Sequence, residues 1–228
     1  MTKQIFPLAL GGLAIGTTEF IIMGLLPDVA KDLGVSIPIA GHLISAYAFG
    51  VVVGAPILVA LSSKFPPKNI LIVYMILFTL FNALSIIAPD YNTLLMSRFL
   101  AGLPHGAFFG VGTIVAIKLS KKGKEAQAVS SMFTGLTLAI LLLVPFLTYI
   151  GHNTSYKWAF LIVSLLGIFT ILALIKFMPK LKSLKTVTFK EEIEFFLTFK
   201  AWHIILIVAI GFGGLFAWFS YIAPLLIN

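Results

Sequence analysis

The sequence predicts an all-α membrane protein, and three observations support this fold class. Hydrophobic residues make up 60% of the 228 residues and charged residues only 11%, whereas a soluble domain of this length carries far more surface charge. The hydrophobic residues are collected in long runs, each near the roughly 20 residues that cross a bilayer as a helix. These runs do not alternate between polar and apolar residues, as the strands of a membrane β-barrel would.

Seven such runs follow one another along the chain. Each is predicted to be helical, because backbone amides in lipid must be hydrogen-bonded within their own segment. The first run is too long and too rich in polar residues for a cleaved signal peptide, so we expect it to span the membrane. In chain order the runs are Ile5–Leu26, Gly41–Ser62, Ile70–Ala88, Thr93–Ile117, Ala128–Ile150, Trp158–Met178 and Ile204–Ile227.

The lysines predict the orientation of these spans. Short loops on the cytoplasmic side of a membrane protein carry an excess of lysine and arginine. If the N-terminus is cytoplasmic, the inner loops hold thirteen lysines and the outer loops hold only Lys31 and Lys157. The net charge of +8 therefore indicates membrane orientation rather than a nucleic-acid partner. We expect a multi-pass protein of the bacterial inner membrane with its N-terminus in the cytoplasm.

The longest polar insert divides the chain into three predicted parts. Residues 1–178 form a six-helix transmembrane bundle, residues 179–200 form a cytoplasmic central loop, and residues 201–228 form a seventh transmembrane helix. Within the loop, Thr188 and Glu191 have the spacing of a capping box. A short amphipathic helix is expected to start there and to lie along the membrane surface.

Two charged residues lie deep inside the apolar runs. Glu19 precedes Asp28 by nine residues, and Arg98 follows Asp90 by eight, so both lie roughly 12–14 Å below the outer surface. A buried charge in lipid needs a partner, and the matched depth and opposite sign predict an ion pair. The pair has two interpretations: a structural contact, or a site that couples conformation to protonation.

The fourth run, which contains Arg98, has further unusual residues. His105 lies two helical turns after Arg98 on nearly the same face, where an imidazole either relays protons or donates to a nearby carbonyl. Pro104 removes a backbone hydrogen bond and predicts a kink. Three glycines repeat every four residues and predict close packing with another helix: Gly102, Gly106 and Gly110.

Three stretches resemble one family of membrane proteins. "SRFLAGLPHGAFFGVG" (97–112) resembles the fourth-helix motif of the major facilitator superfamily, in the form carried by arabinose-efflux-type permeases. "ALGGLAIGTTEFIIMGLLPDVA" (9–30) is similar to the first helix of that group, and "FAWFSYIAP" (216–224) to its seventh. The resemblance implies a six-helix N-terminal bundle built from inverted three-helix repeats, followed by the first helix of a second half.

The resemblance also implies a function. Members of the family are secondary transporters, and in proton-coupled members a fourth-helix arginine and a first-helix acid take part in coupling. The matching positions are Arg98 and Glu19, with His105 as a further candidate. We therefore expect proton-coupled efflux of a small organic solute, such as a sugar or an amphipathic drug. The expected partners are the solute, protons and the lipid bilayer.

Two family motifs are altered in this chain. The loop between the second and third helices reads "VALSSKFPPK" (59–68), where Ser63 replaces an acid and two prolines replace a glycine and an arginine. The fifth-helix antiporter motif appears as "LLLVPFLTY" (141–149), in which Pro145 is the residue kept from its core. Family members have twelve spans and this chain has seven, so we expect a truncated form. The alternative is a transport-inactive fragment that acts as an interaction or assembly partner, with the missing C-terminal half or a second copy as its partner.

The same resemblance implies which residues line the substrate path. Helices one and four line it in this superfamily, which adds Thr17, Thr18 and Phe109 to the charged residues. Tyr47, Asn82 and Trp218 are further candidates from the second, third and seventh helices. No phosphate-binding glycine loop, no set of histidines with metal-ligand spacing and no serine–histidine–acid set is recognisable, so we expect neither an enzyme nor a cofactor or metal site.

Overall fold

A computed structural model describes residues 3–62, 65–182, 194 and 197–227, with the side chains of Ser62 and of 223–227 excepted. These residues form helices and no strands, and seven helices are long and apolar enough to cross a membrane, which confirms the predicted fold class. The helices are α1 (Phe6–Gly24), α2 (Leu26–Asp32), α3 (Ile37–Ser62), α4 (Pro67–Ile87), α5 (Tyr91–Leu119), α6 (Glu125–Leu138), α7 (Val144–Asn153), α8 (Lys157–Phe177) and α9 (Phe199–Ile227).

The helix ends differ from the apolar runs where local chemistry intervenes. The first run was expected to continue to Leu26, but α1 ends at Gly24 and the short helix α2 starts at Leu26 with Pro27 in its first turn. The fourth span starts earlier than its apolar run, because Asp90 caps α5 by accepting a hydrogen bond from the Thr93 backbone N–H at 2.9 Å. The amphipathic helix expected at Thr188 and Glu191 lies outside the described residues.

The first helix lies at the centre of the bundle. It packs against α6 and α8, while α3 packs along α5 and α4 packs against both α5 and α8. One hydrophobic cluster surrounds Phe78 and Phe108, and a second surrounds Ile21 and Phe160. By contrast, α9 lies at the edge and contacts α1, α2 and α3. Its rings at Phe216 and Phe219 pack against Phe20 of α1 at 5.5 and 6.1 Å.

Glycines bring α3 and α5 into backbone contact. A Cβ at Gly102 would overlap the carbonyl oxygen of Tyr47, and one at Gly54 would overlap that of Leu103. At Gly106 it would lie 2.7 Å from the Ala55 Cβ, a distance too short for any real side chain. The third glycine of the repeat, Gly110, would make only an ordinary 3.8 Å contact with Val59.

Two of the prolines in the transmembrane helices, Pro145 and Pro104, have different surroundings. Pro145 follows a π-helical turn, Ala139–Leu143, that joins α6 to α7. A proline lacks the N–H that would bond to the carbonyl four residues earlier, and a wider turn accommodates its ring. Pro104 lies inside α5, which continues as one helix from Tyr91 to Leu119, so the kink expected there stays a prediction.

The altered loop motif keeps one cation that has a structural role. Lys68, at the start of α4, donates its ammonium group to the carbonyls of Ile175 and Met178 at 2.7 and 2.6 Å. These carbonyls belong to the last turn of α8 and its C-cap, where a helix has no backbone donors of its own and favours a positive charge. The lysine therefore ties the N-terminus of α4 to the C-terminus of α8.

Candidate functional site

Arg98 is fully buried, and its guanidinium is bound by a threonine. Its Nη1 donates to the Thr18 hydroxyl at 2.8 Å, and its Nη2 donates to the Thr18 carbonyl at 3.0 Å. The Thr18 hydroxyl donates in turn to Asn82 Oδ1 at 2.6 Å, and the Asn82 amide donates to the Phe78 carbonyl at 2.8 Å. This polar chain links α5, α1 and α4. Among the described residues the Nε of Arg98 has no hydrogen-bond partner.

The predicted ion pair between Glu19 and Arg98 is wrong. Among the described residues no carboxylate lies within 4.0 Å of the Arg98 guanidinium, which contacts Thr18 instead. Successive residues of a helix point about 100° apart, so Glu19 points away from the direction in which Thr18 meets Arg98. The prediction compared only the depths of Glu19 and Arg98 in the membrane and did not consider the direction in which each side chain points around its helix. Glu19 faces a cavity instead.

This cavity of about 490 Å³ lies between α9 and the bundle. It is lined from α1, α3, α5 and α9, and three of its described lining residues are polar: Glu19, Tyr47 and His105. The remaining lining residues are apolar or glycine: Met23, Ile44, Ala48, Val51, Val208, Ala209, Phe212, Gly213 and Phe216. A mainly apolar wall with a few convergent polar groups is typical of small-molecule sites.

Tyr47 connects the cavity to the buried arginine. The centre of the Arg98 guanidinium lies 4.3 Å from the centroid of the Tyr47 ring, within the range of a cation–π contact. The Tyr47 hydroxyl lies 2.9 Å from His105 Nδ1. The His105 ring packs against Phe109 at 5.3 Å, and Phe109 stacks on Phe133 of α6 at 5.0 Å. Sequence reasoning named Tyr47, Arg98, His105 and Phe109 individually and did not predict that Tyr47 contacts both Arg98 and His105.

Several expected cavity residues lie elsewhere. The Thr17 hydroxyl donates to the Leu13 carbonyl within its own helix, and Thr18 and Asn82 are fully buried in the Arg98 hydrogen-bond chain. The Phe109 ring packs against the His105 ring, and Phe109 is not among the residues that line the cavity. Trp218 is 59% exposed, because it lies two residues from Phe216 and therefore on nearly the opposite face of α9.

The cavity residues missed by the sequence reasoning do carry a periodic signal. Ile44, Ala48 and Val51, together with the predicted Tyr47, have the i, i+3, i+4, i+7 spacing of one helix face. Phe212 and Phe216 are four residues apart on α9. In an apolar transmembrane helix every face has such a pattern, so the spacing alone does not show which face meets the cavity.

Comparison with known proteins gives the family. The model of the Major Facilitator Superfamily matches residues 8–228, which is nearly the whole chain. The chain belongs to the major facilitator superfamily. It is therefore a multi-pass membrane protein whose relatives are transporters, as the three sequence stretches indicated. No group of three or more histidine, cysteine, aspartate or glutamate residues that could hold a metal ion occurs in the part of the chain that the structure describes.

Two relatives from Escherichia coli (strain K12) cover nearly all of this superfamily member. It is 44% identical to the inner membrane transport protein YdhP over 219 residues, which is 96% of this chain and 56% of YdhP. It is 40% identical to the putative transporter AraJ over 224 residues, which is 98% of this chain and 57% of AraJ. The chain thus spans about half the length of the curated relatives it matches.

Solved structures share the superfamily fold at low identity. The proton:xylose symporter XylE, bound to 6-bromo-6-deoxy-D-glucose, superposes with a TM-score of 0.69 at 13% identity, covering 78% of this chain and 44% of XylE. The peptide transporter POT in complex with sulfate gives 0.70 at 17% identity, covering 96% of this chain and 46% of POT. Because these two proteins carry different solutes on one fold, the fold does not identify a substrate.

Proposed function

We propose that this chain forms one wall of a secondary active transporter that exports a small organic solute against a flow of protons. The observation that supports this proposal is the cavity between α9 and the bundle, where Glu19, Tyr47 and His105 converge within apolar walls. Glu19 is the one acidic residue inside an apolar run of the sequence. An intramembrane carboxyl group that faces a cavity is a natural site for proton uptake and release.

The buried arginine supports a proton-coupling role without touching the carboxylate. Arg98 is fixed by Thr18 and by the Tyr47 ring, and Tyr47 and Glu19 line the same cavity. A conformational change that moves α5 relative to α1 changes the positive charge near Glu19 and therefore its proton affinity. In this mechanism Glu19 carries the proton, Arg98 biases its release, and His105 is the second polar group that meets the solute.

The wall of the cavity favours an amphipathic drug over a sugar. A sugar needs a hydrogen-bond partner for most of its hydroxyl groups, whereas nine of the twelve described lining residues are apolar or glycine. The aromatic rings of Phe212 and Phe216 offer flat apolar contacts to a hydrophobic solute. A lipophilic dye such as rhodamine 6G is therefore the first probe, and a labelled pentose is its polar counterpart.

Transport in energised inverted membrane vesicles tests the proposal. We expect proton-driven dye uptake when the chain is produced together with the part of YdhP that it does not match, and loss of uptake when a protonophore collapses the gradient. Glu19→Gln should abolish the proton dependence. Glu125→Gln, at the start of α6 and away from the cavity, is the matched control and should transport normally. Uptake that is indifferent to the gradient would contradict proton coupling.

The alternative is a transport-inactive fragment that acts as an interaction or assembly partner. It is favoured by the exposure of α9, because only 6% of an apolar 18-residue stretch of this helix is buried in the bundle. The same vesicles separate the two functions. Absence of uptake with and without the complementary half, while the chain is recovered in a complex, would replace the transporter proposal with this one.

Labelling of single cysteines tests the proposed membrane orientation, because the chain has no native cysteine. With the N-terminus in the cytoplasm of a bacterial cell, Asn153→Cys faces outward and Lys122→Cys faces inward. A membrane-impermeant thiol reagent added to intact cells should label position 153 alone. Labelling of position 122 from outside would reverse the topology.

A further inference from the structure

Tyr47 is in contact with three different parts of the site. It is 3% exposed, its ring lies under the Arg98 guanidinium, and its hydroxyl lies 2.9 Å from the Nδ1 atom of His105. It also lines the cavity together with Glu19. Tyr47 belongs to α3, whereas both of its polar neighbours belong to α5, so the contact depends on the close approach of these two helices at Gly102.

The heavy-atom positions allow either group to donate in the Tyr47–His105 hydrogen bond. A phenol is both donor and acceptor, and a neutral imidazole carries its proton on one nitrogen or the other. The guanidinium 4.3 Å from the ring centroid decides between them. A cation over the face of a phenol attracts the electrons of the ring. Its hydroxyl therefore becomes a stronger donor and its oxygen a weaker acceptor.

We propose that Tyr47 is a positioning residue that donates its hydroxyl to His105 Nδ1 and so fixes the tautomer in which Nε2 carries the proton. Among the described residues no group hydrogen-bonds His105 Nε2, and the imidazole lines the cavity. The Nε2–H group is then the donor that the cavity presents to a solute. The complementary solute has a hydrogen-bond acceptor, such as a carbonyl or ether oxygen, on a mainly apolar body.

The two charged neighbours are consistent with this assignment. Glu19 lines the same cavity as Tyr47, and the Arg98 guanidinium lies 4.3 Å from the centroid of the Tyr47 ring. With His105 as a neutral donor, the cavity presents one fixed N–H group and one carboxyl group that can gain or lose a proton. The identity of the solute rests on the proposed transport function, whereas the tautomer of His105 does not.

Nitrogen-15 NMR of the histidine-labelled chain in lipid nanodiscs tests the proposal directly. In a neutral imidazole the protonated and unprotonated nitrogens have widely separated resonances, which approach each other when two tautomers interconvert. The chain has four histidines, and His105→Gln identifies the signals of the one at issue. We expect a single tautomer with the proton on Nε2. A proton on Nδ1 in the unmodified chain would overturn the proposal without any variant.

Tyr47→Phe supplies the second measurement. Phenylalanine keeps the ring under Arg98 and the packing, but it cannot donate, so the His105 signals should change from one tautomer to a mixture. Tyr91→Phe is the matched control, because the Tyr91 hydroxyl donates to the Ile39 carbonyl at 3.1 Å at an exposed position and has no contact with His105. It should leave the signals of His105 unchanged. Unchanged His105 signals in Tyr47→Phe would overturn the assignment, whatever the vesicle experiments give.

Discussion

The first and last described transmembrane helices, α1 and α9, are both apolar and long enough to cross a membrane, yet their surroundings are opposite. Of an apolar 18-residue stretch in each helix, 78% is buried within the protein in α1, whereas only 6% is buried in α9. Both helices contain several glycines. A Cβ at Gly12 or Gly16 of α1 would lie about 3 Å from atoms of α6 or of the π-helical turn, whereas Gly211 and Gly214 of α9 have no described atom within 4 Å.

This difference shows what separates a central helix from a peripheral one inside a membrane. Moving apolar surface from lipid into the protein interior changes its free energy little, so the hydrophobic effect does not drive helices together within a membrane. Close backbone contacts at glycines and hydrogen bonds between buried polar groups do. The α1 helix has both, in Gly16 and in Thr18, and α9 is attached mainly through the aromatic contacts of Phe20. Four changes test how glycine contacts, buried hydrogen bonds and a helix cap contribute to the stability of the bundle.

Gly102→Ala should be the most damaging small change. Its Cβ would overlap the Tyr47 carbonyl oxygen, which is part of a helix backbone and cannot move aside alone. We expect a loss of about 2–3 kcal/mol in the free energy of unfolding, as for other overpacked interiors. Gly110→Ala is the control, because its Cβ would make only an ordinary contact with Val59 at 3.8 Å. Denaturant titration in mixed micelles measures both, and equal stabilities would refute the backbone contact.

Thr18→Val tests the polar contribution to the burial of α1. Valine matches threonine in shape but leaves Arg98 Nη1 and Asn82 Oδ1 without the partner that each now has. The expected loss is about 1–2 kcal/mol, because unpaired buried polar groups are costly but hydrogen bonds between membrane helices are individually modest.

The matched control for this change is Thr170→Val in α8. Thr170 is also fully buried, but its hydroxyl donates to the Leu166 carbonyl of its own helix at 2.8 Å. Loss of that bond leaves no donor or acceptor of another helix unpaired, so the effect should be clearly smaller. If both valine variants unfold at the same denaturant concentration, the inter-helix hydrogen bonds do not stabilise the bundle.

Gly211→Ala should have almost no effect on the bundle. No described atom lies within 4 Å of the added Cβ, and alanine favours a helix slightly more than glycine does. We expect a change of less than about 0.5 kcal/mol, the usual range for surface positions. A destabilisation as large as that of Gly102→Ala would mean that α9 packs as tightly as α1, and the contrast between the two helices would be lost.

The last change concerns acid sensitivity rather than packing, at the rim of the bundle where Asp90 caps α5. The hydrogen bond from the Thr93 backbone N–H holds the pKa of the exposed Asp90 carboxyl below its usual range. A lowered pKa in the folded state means that the stabilisation is complete above the unfolded value of about 3.9 and is lost as the pH falls through the folded value. Asp90→Asn keeps an acceptor oxygen but cannot titrate, so it should remove this part of the acid sensitivity. An identical acid-unfolding profile in both proteins would show that the cap does not contribute.

The site shows how far the sequence reasoning reached. Counting from the ends of the apolar runs placed Glu19 and Arg98 at one depth, and the structure places Arg98 against the Tyr47 ring and Glu19 in the cavity that Tyr47 also lines. The predicted contact between Glu19 and Arg98 was wrong, because neighbouring residues such as Thr18 and Glu19 point about 100° apart around the helix. The Tyr47–His105 hydrogen bond joins residues 58 positions apart, and nothing in the spacing of either helix indicates it.

The sequence by itself determined the number of spans, their approximate limits and the positions of the unusual residues within them. These properties are local, because each apolar run must satisfy its own backbone hydrogen bonds in lipid whatever its neighbours do. Only the tertiary structure decided which face of each helix is buried, that Arg98 meets Thr18 rather than Glu19, and that Tyr47 both contacts the arginine and lines the cavity. Those properties depend on how each helix is rotated and how pairs of helices cross. Glycine contacts and hydrogen bonds distributed over α1, α3, α4, α5 and α6 fix that geometry together.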